Sequence, residues 1–255
     1  MSAELKAGTY QPQSYYCFTV TDPKERVIQA LHFRDRVVQH CLCDEILSKL
    51  IEPKLIYDNA ACRVGKGTHF AMNRLSSFMR EHYQKYGCQG YFLKYDIRKY
   101  FDSIDHEVLK QRLVGLKMET ELLLFLYRII DGYETAPGKG LPLGNQSSQW
   151  FALYYLDGMD RLIKEKLRIH GYTRYMDDGV MIHPDREYLR ECLTQMREKA
   201  EEIKLELNEK TQITPISCGV GFLGFHFYLT DTGKVIRILR PQAKRRYRHR
   251  LHTMQ

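Results

Sequence analysis

The chain has 255 residues, 44% hydrophobic and 27% charged, enough for one large domain or two modest ones with ample core. Its 39 Lys and Arg against 31 Asp and Glu give a net charge of +8, which favours a polyanionic partner but also suits a merely basic soluble protein. The seven cysteines are scattered with no C-x-x-C spacing, no apolar run is long enough to span a membrane, and no basic-then-apolar leader opens the chain; zinc, a disulfide framework and a membrane are set aside, and a cytoplasmic location is expected.

The first thirty residues, rich in Tyr, Gln and Pro, read as extended, with a short strand from Arg26 to Leu31. From Phe33 to Leu50 the apolar residues 33, 37, 38, 42, 46, 47 and 50 follow helical spacing, and Pro53 ends the run. Cys41 and Cys43 are expected as small core residues on that helix. The turn Gly65-Lys66-Gly67-Thr68 leads into a second helix from about His69 to Tyr86, with Thr68 as its N-cap. Tyr91 to Ile97 predicts a strand with Asp96 near its end. Asp105 caps a short helix that stops at Gly115, and an apolar helix from Glu119 to Asp131 runs into the loop before Gly140.

After Leu141-Pro142-Leu143-Gly144 a long helix is expected to reach about Ile169, with Gly171 as its stop. Two short runs around Tyr175-Met176-Asp177-Asp178 predict a β-hairpin. A polar helix from Asp185 to Lys204 follows, its apolar stripe at 189, 193, 196, 200 and 203. Thr211 to Ile238 reads as short strands turning at Gly219 and at Asp231-Thr232-Gly233. The tail from Arg240 to Arg250 holds six Lys and Arg in eleven residues. This order predicts an α+β fold, a sheet with helices on one face. It brings the end of the Asp96 strand beside the hairpin tip if the two segments are sheet neighbours.

Two adjacent carboxylates at a hairpin tip repel each other, and only Arg174 is a neighbouring cation in sequence. A divalent cation would relieve the repulsion, since hard cations take carboxylate oxygens as ligands. Asp96 offers a third carboxylate about eighty residues earlier. Extending a nucleic-acid chain needs an activated 3′-hydroxyl and a stabilised leaving pyrophosphate, and two Mg²⁺ ions about 3.5–4 Å apart supply both. The carbonyl of Ile97 can complete one coordination shell. Each acid taken alone also suits an ordinary strand end or turn.

Five residues after Asp96 stands Phe101. A flat aromatic against the sugar leaves no space for a 2′-hydroxyl, although a core Phe is the plainer reading. Arg63 and Lys66 lie on the Gly-rich turn before a helix, where cations and helix N-terminal amides suit a triphosphate; a solvated basic turn is the alternative.

The segment Asp96 to Asp102 is similar to the first palm motif of bacterial reverse transcriptases, and Tyr175-Met176-Asp177-Asp178 matches their Y-x-D-D signature. Phe222-Leu223-Gly224-Phe225 resembles the primer-grip hairpin, and Leu207-Asn208-Glu209-Lys210-Thr211 the segment before it. The resemblance runs from about Tyr10 to Arg240 with the motifs in order. Where group II intron and retron enzymes read Q-G-x-x-x-S-P, this chain has Leu143-Gly144-Asn145-Gln146-Ser147-Ser148-Gln149. That pattern resembles the diversity-generating retroelement enzymes, which copy a template-repeat RNA and misincorporate at adenines.

The resemblance implies metal binding by Asp96, Ile97, Asp177 and Asp178, with two Mg²⁺ ions for which Mn²⁺ can substitute. It implies nucleotide binding by Arg63, Lys66, Lys99, Tyr100, Phe101, Leu143, Gly144 and Gln149, and Lys210 as a proton donor to pyrophosphate. Arg26 and Arg36 would meet template. The implied architecture is the right-hand fingers and palm of a polymerase: fingers over 1–90, palm over 91–239 as an antiparallel sheet backed by helices, and the start of a largely absent thumb over 240–255. Template RNA, a DNA or RNA primer, dNTPs and an accessory protein of the retroelement are the implied partners. A group II intron or retron enzyme, and a catalytically idle RNA-binding module of the same fold, are the alternatives.

Overall fold

The computed structural model describes residues 1–21, 25–241 and 244–245. Its first elements are helix α1 (Ser2–Lys6), strands β1 (Tyr16–Val20) and β2 (Arg26–Ala30), and helices α2 (Phe33–Leu42), α3 (Ser48–Ile51) and α4 (Thr68–Tyr86). Strand β3 (Tyr91–Tyr95) precedes helices α5 (Tyr100–Ser103), α6 (His106–Val114), α7 (Thr120–Asp131), α8 (Gln146–Tyr155) and α9 (Asp157–Arg161). Strands β4 (Gly171–Tyr175) and β5 (Asp178–His183), helix α10 (Arg186–Glu202), and strands β6 (Gln212–Pro215), β7 (Val220–Phe222), β8 (Phe225–Leu229) and β9 (Val235–Leu239) complete the order.

These elements form two compact units, each assembled from three stretches of chain. One comprises 1–56, 98–160 and 200–206, the other 57–97, 161–199 and 207–255. In the first unit β1 and β2 form an antiparallel hairpin whose outer residues Tyr16 and Phe18 are exposed. Buried Asp35 on α2 accepts hydrogen bonds from Tyr10 Oη at 2.6 Å and the Gln13 amide at 2.9 Å, tying down the N-terminal segment. Helix α8 packs on α2 and α3, and Ser147 donates to buried Gln39 at 2.7 Å. Asp105 caps α6 as expected, accepting from the Val108 amide at 3.1 Å.

The second unit carries an antiparallel sheet in the order β4-β5-β3-β6 and a smaller one in the order β7-β8-β9. Strand alternation puts Phe92, Val180 and Ile182 on one face of the larger sheet. They share a core with Ala71, Met72, Leu75, Phe78 and Met79 of α4 and with Val220, Phe222 and Phe227 of the smaller sheet. Helix α4 thus covers both sheets. Each fully buried Leu, Phe or Met in this layer contributes about 1.5–3 kcal/mol.

Several expectations need correction. The predicted helix over Phe33–Leu50 is interrupted by a π-turn at Cys43–Leu47; Cys43 is buried, while Cys41, two residues earlier and on the opposite face, is exposed. Pro53 does lie in the 3₁₀ turn that ends the segment. Thr68 is the first residue of α4 and not its cap; Gly67 occupies the cap position at φ 125°, a conformation that favours glycine. The long helix expected to run to Ile169 is broken into α8, α9 and a π-turn at Leu162–Lys166. Gly171 begins β4 instead of stopping a helix, and a Cβ there would overlap Ile182. Among the described residues no helix is long and apolar enough to cross a membrane.

Candidate active site

The second unit gathers the acidic residues by strand register. β3 pairs antiparallel with β5, ending on Tyr95 opposite Gly179. Asp96 and Asp178 directly flank that last pair, and alternation along the two strands puts them toward the face that carries Phe92 and Val180. β4 and β5 close on Tyr175 opposite Asp178, leaving Met176 and Asp177 as a two-residue turn. Met176 takes φ 56°, a left-handed conformation costly for a non-glycine, and its carbonyl accepts a bond from the buried Arg174 guanidinium. The turn is therefore held from beneath.

The electrostatics follow from that crowding. Burial pushes the Asp177 carboxyl up to about 6, reinforced by the negative Asp96 and Asp178 and by a hydrogen bond with Asp96. Burial likewise raises Asp178 to about 6, against the opposing pull of Lys94. Lys94 Nζ stands 3.2 Å from Asp178 Oδ1 and donates to Oδ2 at 3.3 Å. Asp96 is clamped by Asn208, whose amide donates to the Asp96 carbonyl at 2.7 Å and whose Nδ2 donates to the carboxylate at 3.2 Å. Ile97 pairs with Leu207 in the same segment. The Lys210 amide donates to Asn208 Oδ1 at 3.1 Å, and the Lys210 side chain is exposed.

Among the described residues, no group of three or more His, Cys, Asp or Glu side chains is arranged to hold a metal ion as it stands. The donor set nevertheless fits a hard divalent cation: it is all oxygen, and the buried Asp178 Oδ1 has no directed hydrogen bond.

The segment that leads into the Gly-rich turn is fastened to the same hairpin. Asn59 bridges Arg174, and the Ala60 amide donates to the Arg174 carbonyl at 2.9 Å. Asp58 anchors this strap through Arg74 at 2.6 Å and Lys164 at 2.9 Å, while its carbonyl accepts from Thr173 Oγ1 at 3.0 Å. Arg63 is half-buried and donates to the Asn59 carbonyl at 3.0 Å. Lys66 is engaged by the Tyr57 carbonyl and lies 4.4 Å from the Tyr57 ring centroid and 4.9 Å from that of Phe70. Phe222 and Phe225 pair across a tight turn formed by Leu223 and Gly224, both at positive φ.

The first unit gathers the other residues implied in nucleotide binding. Lys99, at φ 44°, precedes α5, which begins with buried Tyr100 and half-buried Phe101. The Phe101 carbonyl accepts from the Leu141 amide at 2.8 Å, so the loop bearing Leu143 and Gly144 is attached to this helix. Gly144 takes φ 109° beside Ile28 of β2, and Gln149 lies half-buried on α8. Arg36 is exposed on α2. The Arg26 side chain lies outside what is described, as does most of the expected thumb segment, 242–243 and 246–255.

Lys94, Asn208, Asp58 and Gly179 were not singled out by sequence reasoning. For Lys94 a signal existed: two residues before Asp96 on a strand, it shares that residue's face. Asn208 stood inside a segment already noted, with nothing local to show that it reaches Asp96.

No curated protein matches this chain in sequence. Among solved structures, the telomerase of Candida albicans in complex with a TWJ fragment of telomeric RNA is 14% identical, with TM-score 0.64, covering 91% of this chain and 46% of its own. The apo telomerase of Candida tropicalis truncated of its C-terminal domain is also 14% identical, with TM-score 0.65, covering 92% and 58%. The chain thus spans about half the length of these structures, which share its fold. The family model described as reverse transcriptase (RNA-dependent DNA polymerase) matches residues 21–227, and the chain, with its paired strand-end carboxylates, belongs to that family.

Proposed function

We propose that the chain is an RNA-directed DNA polymerase, extending a DNA or RNA primer with dNTPs on a template RNA in the cytoplasm. One observation carries the reading: the β3–β5 ladder ends on Tyr95 opposite Gly179, so Asp96 and Asp178 directly flank its last pair, with Asp177 in the adjoining turn. Asp96, Asp177 and Asp178, with the Ile97 carbonyl, would hold two Mg²⁺ ions. When bound, such ions lower the pKa of the attacking 3′-hydroxyl and neutralise the leaving pyrophosphate.

The chain's own residues do the rest. Arg63, on a strap fastened to β4, and Lys66 face the triphosphate together with the N-terminal amides of α4, which have no side-chain cap. The amides near Lys99 and Tyr100 assist, and Phe101 excludes a 2′-hydroxyl by contact with the sugar. Gly144 and Gln149 line the nucleotide and template side. Leu143 offers no hydrogen bond where related enzymes carry an amide, which weakens discrimination against poorly paired bases and supports the error-prone, diversity-generating subgroup, with its accessory protein. Lys210 delivers a proton to pyrophosphate, and the Phe222–Phe225 turn seats the primer end. In this reading 1–90 are the fingers, 91–239 the palm and 240–255 the start of the thumb.

The test is primer extension on an RNA template with Mg²⁺. The wild-type chain should extend, and Asp177→Asn should lose nearly all extension while retaining RNA affinity. A wild-type chain that binds RNA but never extends would leave only the idle RNA-binding module.

A further inference from the structure

Lys94 occupies a place where a hydrophobic residue would be expected. It sits on the face of β3 that carries fully buried Phe92, and its cross-strand partner Val180 is fully buried too. Its ammonium is only partly exposed and joins two elements. It is 3.2 Å from Asp178 Oδ1, and it donates to the Gly221 carbonyl of β7 at 2.8 Å. Gly221 directly precedes Phe222, so the strand leading into the Phe222–Phe225 turn hangs from the same cation that neutralises Asp178.

A second cation closes the arrangement. The Arg240 guanidinium packs so tightly on Gly221 that a Cβ there would overlap it, and the Arg240 amide donates to the Gly224 carbonyl at 3.0 Å. Both Lys94 and Arg240 oppose the upward push of burial on the Asp178 carboxyl. Between the two cations, β7 has little freedom to shift without disturbing Asp178.

Resting on the reading that Asp178 holds a divalent cation, we propose that Lys94 is a positioning residue, the resident counter-charge of Asp178 and the tie between that carboxylate and β7. A lysine suits this double duty because its ammonium is a compact charge with three donors on a flexible stem. When a divalent cation takes Asp178, Lys94 keeps its bond to Gly221, and the strand before the primer turn stays aligned with the carboxylates. Cation binding therefore competes with Lys94, and primer placement depends on it.

The test uses the full chain without nucleic acid, titrated with Mn²⁺ and followed by electron paramagnetic resonance. Lys94→Gln should bind Mn²⁺ about 5-fold tighter than wild type, since a unit charge near the ligand has been removed. In steady-state extension the same variant should show a KM for primer–template raised about tenfold with the KM for dNTP unchanged, because the primer end is misplaced. Lys94→Arg, which keeps the charge, should return both values toward wild type. If Lys94→Gln fails to fold by circular dichroism, Lys94→Met, at home between Phe92 and Val180, carries the same test. A wild-type Mn²⁺ site lost in Asp178→Asn, with unchanged affinity in the Lys94 variant, overturns this inference alone. No wild-type site, or one surviving Asp178→Asn, overturns the carboxylate reading and this inference together.

Discussion

The ring of Tyr95 lies against the backbone of Gly179 so closely that a Cβ on Gly179 would overlap it. The Tyr95 hydroxyl shares a 2.6 Å hydrogen bond with Tyr172 of β4, so one side chain spans three strands. This pair is the last of the β3–β5 ladder and is flanked directly by Asp96 and Asp178. A slip of one residue would turn every side chain of the strand to the opposite face and separate the two acids. Gly179→Ala should therefore destabilise the chain by about 1–3 kcal/mol through overpacking. In a Tyr95→Leu background the same change should cost less. Chemical denaturation of the four proteins measures this coupling, and strict additivity would contradict it.

The crowded carboxylates make a pH prediction. Asp177 and Asp178 titrate near 6 in the fold, above the ordinary value of 3.8. A raised pKa of this kind contributes stability that is complete below 3.8 and lost as pH rises through about 6. In buffer with a chelator, Asp177→Asn should be more stable than wild type at pH 7.5 by about 1 kcal/mol, reduced from the full linkage value because Asp177 is partly exposed. The gap should shrink by pH 4.5. Mg²⁺ should raise the wild-type melting temperature and leave the variant unmoved. Equal melting at pH 7.5 would show that the repulsion is absent.

The strap from Asp58 to Ala60 makes a prediction about substrate. Asp58 is nearly buried between Arg74 and Lys164, which keep 27% and 18% of their side-chain surface. Asp58→Ala should cost about 2 kcal/mol, less than the ~3–5 of a fully buried pair because the cations remain partly hydrated. With the strap loosened from β4, the KM for dNTP should rise more than the KM for primer–template. A uniform loss in both would place Arg63 and Lys66 away from the triphosphate.

Two substitutions test selectivity. Phe101→Ala should admit ribonucleotides, and unchanged rejection would remove Phe101 from the sugar. Leu143→Gln should raise accuracy opposite template adenine, read by sequencing cDNA before and after the change. No gain in accuracy would count against the error-prone reading.

Much of this was legible because it is local. The acids at the tip, the Asp105 cap, the apolar stripe of α10 and the turn at Asp231-Thr232-Gly233 follow from short-range spacing and turn chemistry. The π-turns at Cys43–Leu47 and Leu162–Lys166 were not, since apolar periodicity continues through them while the backbone gains a residue. Gly171 shows the same limit: a glycine after a helical run suggests a stop, yet here it makes room for Ile182 across the sheet. Lys94, Asn208 and Asp58 act through partners 84, 112 and 106 residues away along the chain; alternation gives Lys94 the face of Asp96, but no local pattern names those partners.

The central claim is that Asp96, Asp177 and Asp178 hold divalent cations together. Affinity cleavage measures this directly: Fe²⁺ replaces Mg²⁺, and ascorbate with peroxide generates hydroxyl radicals that cut nearby backbone. The account predicts cuts flanking Asp96 and the Asp177–Asp178 turn, suppressed by excess Mg²⁺ and abolished in Asp177→Asn. Cuts confined to other segments, or unchanged in that variant, would contradict it.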